Sequence, residues 1–330
     1  MAKLLRIFAL AYLAFPLTLF AQPYAYVASL GRGVLSVIDT STNSVVAEVE
    51  VGRGASAVAI TPDGTRAYIT NSQSDTVSVI ATSSNAVVAT ITVGQLPRGI
   101  AITPDGRYAY VARGRGGNGQ IRVIDTASNT VVSTVEVGGE PWAIAITPEG
   151  SRAYVTDTAQ YGDAVSVIDT SSNTVIARVR VEIRPQGVAI TPDGRRAYVA
   201  NNVSNSLSVI DTGSNTVVAT VQLERDQSPE GLAITPDGST IYAVMTGPKG
   251  SVVAIATSSN TVIASVRVGH FSTAVAITPD GTRAYVPGNT GPRGQDPTVS
   301  VIDTASNSVV NTIFLGRDAG LPQGVAITPH

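Results

Sequence analysis

Apolar residues in this chain fall in short runs broken by polar turns, and the runs recur in groups of four. Residues 57–60 (Ala-Val-Ala-Ile) lead into Thr61, Pro62, Asp63 and Gly64, and residues 67–70 (Ala-Tyr-Ile-Thr) follow. Proline presets φ at the second position of a type I turn, Asp suits the third, and Gly accepts the positive φ after it. This pair therefore reads as a β-hairpin. Val77 to Ile80 and Val87 to Val93 flank a polar turn of Ser83, Ser84 and Asn85 and read as two further strands. The pattern predicts units of four antiparallel strands, here lettered a to d in chain order.

The unit repeats. The threonine of each Ile-Thr-Pro phrase stands at 61, 103, 147, 191, 235, 278 and 328, in steps of 42, 44, 44, 44, 43 and 50 residues. A four-strand unit recurring every ~40–45 residues is the signature of a propeller blade. A solenoid stays open and needs polar caps at its ends, whereas a propeller closes on itself. Here Tyr24 to Ala28 reads as a strand b without its strand a, and Gly324 to Pro329 as a strand a without its blade. Joined, the two remnants complete one blade, with strand a from the C-terminus and strands b, c and d from the N-terminus. Six intact copies lie between them. The expected fold is all-β, a seven-bladed propeller of four-stranded antiparallel blades forming one domain over residues 22–330.

The wording of the copies also carries a resemblance. Residues 67–71 (Ala-Tyr-Ile-Thr-Asn) and 197–201 (Ala-Tyr-Val-Ala-Asn) resemble the YVTN-repeat β-propellers, as does Ser-Val-Ile-Asp-Thr starting at Ser36, Ser166, Ser208 and Ser300. The resemblance runs through essentially the whole chain after residue 21 and implies the same closed ring. It also implies a place among surface-layer-like and envelope proteins. Related propellers include haem d1 domains, quinoprotein-type dehydrogenase chains and lactonase-like or lyase enzymes. The shared motif is structural, so it designates no catalytic residue.

Composition narrows the partners. The formal net charge is −2, with positive charge carried almost wholly by Arg and Lys present only at Lys3 and Lys249. So small a charge supplies no field for nucleic acid or an anionic membrane. Lys3 and Arg6 precede an apolar run from Ile7 to Phe20, followed by Ala21, Gln22 and Pro23. This reads as a signal peptide over residues 1–21, too short for the roughly 20 apolar residues of a membrane span. The expected product is exported, periplasmic or extracellular, with no stable membrane span after cleavage. Cysteine is absent, so the chain has neither disulfides nor a lipid-attachment cysteine, and a chain of this length buries a sufficient core without them.

Comparison between copies separates frame from site. Strand a carries Ala59, Ala101, Ala145, Ala189, Ala233, Ala276 and Ala326 at one position, as expected where blades crowd toward the axis. Tyr26, Tyr68, Tyr110, Tyr154, Tyr198, Tyr242 and Tyr285 recur once per blade and are expected to pack between blades with the hydroxyl on backbone. Asp39, Asp125, Asp169, Asp211 and Asp303 are expected to tie the c–d turns.

The d–a and b–c loops, which emerge together on one face, do not repeat. One position in the d–a loops should ring the channel mouth, and it reads Ser56, Arg98, Trp142, Gln186, Glu230, Thr273 and Gln323. Its counterpart at the end of strand b reads Ser29, Asn71, Arg113, Asp157, Asn201, Met245 and Gly288. Binding residues are commonly mounted on loops held by a rigid frame. The candidate binding residues are therefore Arg98, Arg113, Trp142, Asp157, Gln186, Glu230, His270 and Gln323. The expected arrangement is polarised, with Arg98, Arg113 and Arg115 on one side, Asp157, Asp163 and Glu230 on the other, and the lone tryptophan between them.

Catalytic patterns are thin. The histidines are His270 and His330, and no nucleophile elbow, phosphate loop or paired-histidine motif occurs. The glycine-rich stretch 113–119 joins two strands and opens no helix, so it lacks the geometry of a phosphate loop. Asp157 to Asp163 and Asp296 match no calcium-loop spacing. No catalytic residue, metal or cofactor is assigned. The reading is a monomeric, non-enzymatic binding or scaffold protein that engages a protein, a cell-surface polymer or a small anionic or planar ligand through its loop face. The alternative is a propeller enzyme, lactonase- or lyase-like or a cofactor-dependent oxidoreductase, with its site at the channel mouth.

Overall fold

The computed structural model describes residues 23–31, 33–114, 117–159, 162–224, 228–247, 250–290 and 295–329. The expected signal segment 1–21, Arg115, Lys249 and His330 lie outside the described residues. Seven four-stranded antiparallel sheets stand in a ring. Blade 2 shows the unit: strand a is Ala55–Ile60, b Arg66–Asn71, c Thr76–Ala81 and d Ala86–Thr92. Blades 3 to 7 follow over residues 100–136, 141–180, 185–222, 228–267 and 276–314. Blade 1 is the composite expected from the remnants. Its strand a, Leu321–Ile327, pairs with Tyr24–Leu30 in the register Ala25 to Ile327 and Tyr26 to Ala326.

The hairpin turns form as their residues dictate. Thr61 donates its hydroxyl to Asp63 at 2.5 Å, and the same carboxylate accepts the Thr65 N–H at 3.0 Å. Gly64 takes φ of 70°, which a side-chain-bearing residue adopts only with strain. On the c–d side Asp39 accepts the N–H groups of Ser41 and Thr42 at 2.8 and 3.2 Å, the turn-tying role expected of it.

The core lies between blades. One cluster joins Tyr68, Val77 and Val79 of blade 2 to Ala109, Val111 and Ile124 of blade 3, with Ala57 and Ala59 packed against it. The other six clusters repeat the arrangement around the ring. All seven tyrosines are buried, at 0–1% exposure. Each hydroxyl crosses to the next blade, but its nearest partner is a side chain. Tyr110 donates to Asn173 Oδ1 at 2.7 Å, with the Thr170 carbonyl farther off at 3.3 Å. The expected backbone acceptor is therefore secondary. The asparagines Asn43, Asn85, Asn129, Asn173, Asn215, Asn260 and Asn307 all hold φ of 50–55° at the c–d turns, a conformation asparagine tolerates better than most residues.

Strands a crowd the axis. A Cβ built on Gly187 would stand 1.9 Å from the Glu230 carbonyl oxygen, and one on Gly99 would stand 2.4 Å from that of Trp142. Glycine at these two positions lets neighbouring blades approach backbone to backbone. Among the described residues no helix is long and apolar enough to cross a membrane.

Candidate functional site

At the loop end of the axis the seven d–a loops surround a cavity of about 500 Å³. Six of the seven mouth positions line it: Ser56, Arg98, Trp142, Glu230, Thr273 and Gln323. Each follows an irregular loop at or just before strand a, so the start of each of these six blades sets one side chain at the axis. Between them stand Leu30, Val58, Leu96, Ala143, Ala274 and Val325, which make most of the wall apolar.

The chemistry gathers on one side. The Arg98 guanidinium lies over the Trp142 ring, 4.0 Å from its centroid, within the range of a cation–π contact. Glu230 is half-buried two blades on from Trp142. Burial pushes its carboxyl up to about 7 from the ordinary 4.5, against the pull of Arg184 and then Arg98. Near neutral pH it is therefore divided between acid and carboxylate. Thr273 donates to the Gln323 carbonyl at 3.0 Å, and Ser56 shares a hydrogen bond with Thr70 at 3.0 Å, so the rim is tied to its neighbours.

Four sequence candidates stand outside this cavity. Gln186 is buried at 4% exposure, and Gly187 takes its place in the wall. The Gln186 carbonyl accepts the Thr156 hydroxyl at 2.6 Å. Arg113 and Asp157 belong to the strand-b ends, and the pleat decides their fate. Successive side chains of a strand point to opposite faces. Thr70 reaches across to the Arg98 carbonyl at 2.7 Å, whereas Asn71, one residue on, turns back to Ser78 of its own blade. In the same position Arg113 is partly desolvated. Burial and then the neighbouring Arg122 pull its guanidinium below the ordinary value, against Glu136 and Asp75. Asp157 accepts the N–H groups of Glu140 at 2.7 Å and Ala159 at 3.0 Å, which holds its own loops. Asp163 pairs with Arg180 at 2.9 Å. The expected sharing of the mouth between Arg98 and Arg113, opposite Asp157, is thus not what forms. His270 pairs through its backbone with Asn289, at 2.6 and 2.8 Å, and is not among the residues lining the cavity.

Two contributors escaped the sequence reading. Leu96 and Arg184 each stand two residues before a mouth position, where blade 2 has Gly54. All three take positive φ, at 51°, 60° and 73°, as does Phe271 at 55° in the same position of blade 7. Round the ring that position reads Gly54, Leu96, Glu140, Arg184, Ser228, Phe271 and Leu321, so comparison of the copies shows only that it varies. Among the described residues no group of three His, Cys, Asp or Glu could hold a metal ion.

Comparison with known proteins agrees with this architecture. A chain of hydrazine synthase from Kuenenia stuttgartiensis is similar in structure, with TM-score 0.74 and 26% identity over 83% of this chain and 90% of that one. A functionally unknown protein from Desulfotomaculum acetoxidans shares the fold, with TM-score 0.77 and 21% identity over 92% of this chain and 98% of that one. No curated protein matches the chain. Residues 32–231 match the choice-of-anchor I domain, which implies a cell-surface or exported protein. That match covers more than half of the sequence, and the chain belongs to the choice-of-anchor I domain family.

Proposed function

We propose that the protein is an exported, non-enzymatic binding propeller whose loop face holds a ligand or partner at the axial cavity. The observation that carries this reading is the contrast within one repeat. Scaffold positions such as the seven tyrosines do not vary, whereas the mouth position differs in almost every blade, and six of its side chains converge on one space. A rigid ring bearing divergent loops is a common architecture for recognition. The YVTN-like wording and the family membership favour a place at the cell envelope, periplasmic or extracellular, following removal of residues 1–21.

Native mass spectrometry of the chain purified from its own host, with elemental analysis, tests the reading. The expected result is a bound mass retained by wild type and lost from the double variant Arg98→Ala, Trp142→Ala. A mass that persists in that variant would move the site away from the cavity.

A second reading has one observation behind it. A carboxyl titrating near 7 suits general acid–base work, and Glu230 is such a group inside a cavity. Together with the likeness to a hydrazine synthase chain, this supports an enzyme with its site at the same mouth. Stoichiometric metal, or turnover lost on Glu230→Gln, would promote it.

A further inference from the structure

We propose that the axial cavity is a receptor site for a neutral saccharide ring, its hydroxyls donating to the rim and a C–H face lying on the aliphatic wall. This rests on the binding reading above and names the ligand class of that site.

The direction of the rim's hydrogen bonds sets the first condition. A serine or threonine hydroxyl has one proton to donate and two lone pairs that accept. Ser72 donates to the Gly54 carbonyl at 2.8 Å, and Thr273 to that of Gln323 at 3.0 Å. Thr70 gives its own proton to the Arg98 carbonyl at 2.7 Å, so in the Ser56–Thr70 pair, 3.0 Å apart, Ser56 is the donor. The three hydroxyls among the described residues lining the cavity thus commit their protons to the protein and keep lone pairs for a ligand. The Glu230 carboxyl is acted on by burial and by the charges of Arg184 and Arg98, and by no hydrogen bond from the described residues. Its carboxylate form is a further acceptor. Gln73 and Gln323 add amides, which both donate and accept. The ligand must therefore bring several donors, and they must be spread. Ser56 and Ser72 belong to blade 2, Glu230 to blade 6 and Thr273 to the entry of blade 7.

Charge sets the second condition. Arg98 and Glu230 are the charged side chains among the described residues lining the cavity. Arg98 is engaged, with its guanidinium on the Trp142 ring at 4.0 Å and its charge acting on Glu230. Arg184 acts on the same carboxyl from the adjoining loop. The charges thus answer one another within the protein. An added anion meets the Glu230 carboxylate, and an added cation meets two guanidinium groups. A neutral ligand avoids both.

Shape sets the third. Leu30, Val58, Leu96 and Val325 form an aliphatic wall, which offers dispersion contact but no partner to a polar group. A pyranose carries hydroxyls round its edge and C–H bonds on its faces, so it can turn the edge to the rim and a face to this wall. An alcohol with one hydroxyl reaches a single acceptor and leaves the rest unanswered. A space of about 500 Å³ lies within the range of small-molecule sites. Leu96 stands on the wall with φ of 51°, and strained backbone of this kind clusters at ligand sites.

Trp142 is the only tryptophan and lines the cavity, so its fluorescence reports occupancy. The test titrates glucose, galactose and mannose into the full chain. The uronate and the amino sugar of the best-bound hexose follow, with cyclohexanol as a ring bearing one hydroxyl. One hexose should saturate the signal, with its charged analogues and cyclohexanol roughly tenfold weaker. Ser72→Ala and Thr273→Val each remove one acceptor and should weaken that hexose roughly threefold to tenfold. Thr273→Ser keeps the hydroxyl and should bind as wild type does. An unchanged melting temperature in each variant is the control for folding. A trisaccharide of the same hexose that binds more tightly would keep the site and assign its source to the end of a polymer, whereas one that binds no more tightly would assign it to the free sugar. A uronate or amino sugar that outbinds its neutral parent would overturn the neutral assignment. Cyclohexanol binding as tightly as the best hexose would overturn the saccharide. Both outcomes leave the binding reading standing. No response to any probe would overturn the saccharide assignment, and the binding reading falls with it if the protein from its host also carries no bound mass.

Discussion

A phenol taken out of water must find an acceptor, and each blade solves this the same way. Tyr110 and its six counterparts donate to an asparagine held in a left-handed turn of the next blade. The bond links a strand of one sheet to a turn of its neighbour, so it sets the angle between sheets as well as satisfying a hydroxyl. Tyr110→Phe should cost about 1 kcal/mol, since the Asn173 turn is partly open to water. Asn173→Ala should cost about 1 kcal/mol more, because alanine also meets the strain of that φ. Denaturant unfolding of the two variants measures both. The tyrosines were legible as structural because they recur. Their partner was not, because nothing in Ser-Ser-Asn shows which blade that turn will meet.

At the same scale Glu230 makes a prediction about acid and base. Its folded value is about 7 against an ordinary 4.5, so the folded state holds the proton more tightly. The associated stability is fully present below 4.5 and is lost as the pH rises to 7. The turn aspartates act in the opposite sense. Hydrogen bonds from Ser171 and Ser172 hold Asp169 down to about 2 against an ordinary 3.8, so its contribution is present above 3.8 and lost toward 2. Melting temperature should therefore rise from strongly acid pH, then decline between about 4.5 and 7. Glu230→Gln should remove the decline and leave the acid limb unchanged. A decline that survives the substitution would assign it to other groups.

At the scale of the strand, position relative to the axis decides what fits. Ala233 packs against Tyr242, Val244 and Val275 between blades 6 and 7. Ala233→Leu adds three carbons beside that cluster and should destabilise by about 1–3 kcal/mol. A melting temperature equal to wild type would show room there for the larger side chain. The loops entering strand a follow a different logic. Their mouth residue was readable as variable, and it does reach the axis in six blades. The strand-b ends were variable too, yet Arg113 and Asp157 turn away from the axis. Variability in a sequence identifies a loop, whereas the phase of the pleat decides which way its residues point. Gln186 fails for a related reason, since it is buried while Gly187 forms the wall.

At the scale of the whole molecule, closure is the device that removes exposed sheet faces. Strand Leu321–Ile327 completes blade 1 and packs Val325 and Ile327 on the cluster that joins Ala25 and Val27 to Tyr285 and Val299. Deleting residues 321–330 should open the ring and expose that cluster. The expected result is loss of the cooperative thermal transition, where single interface substitutions merely lower its midpoint. A truncated chain that still melts cooperatively near the wild-type temperature would mean that closure contributes little.

By itself the sequence determined the number of strands, the length of the repeat, the turns and the count of seven blades. Each of these depends on residues close in the chain, where φ preferences and the period of two act directly. It also marked Arg98, Trp142 and Glu230 as members of one variable ring. Only the tertiary structure decided that Arg98 lies on Trp142, that Arg184 from a neighbouring loop acts on Glu230, that burial brings this carboxyl to about 7, and that His270 is not among the residues lining the cavity. These depend on side chains brought together by the curvature of the ring from positions more than forty residues apart. Distance and desolvation, which set their chemistry, exist only once the ring has closed.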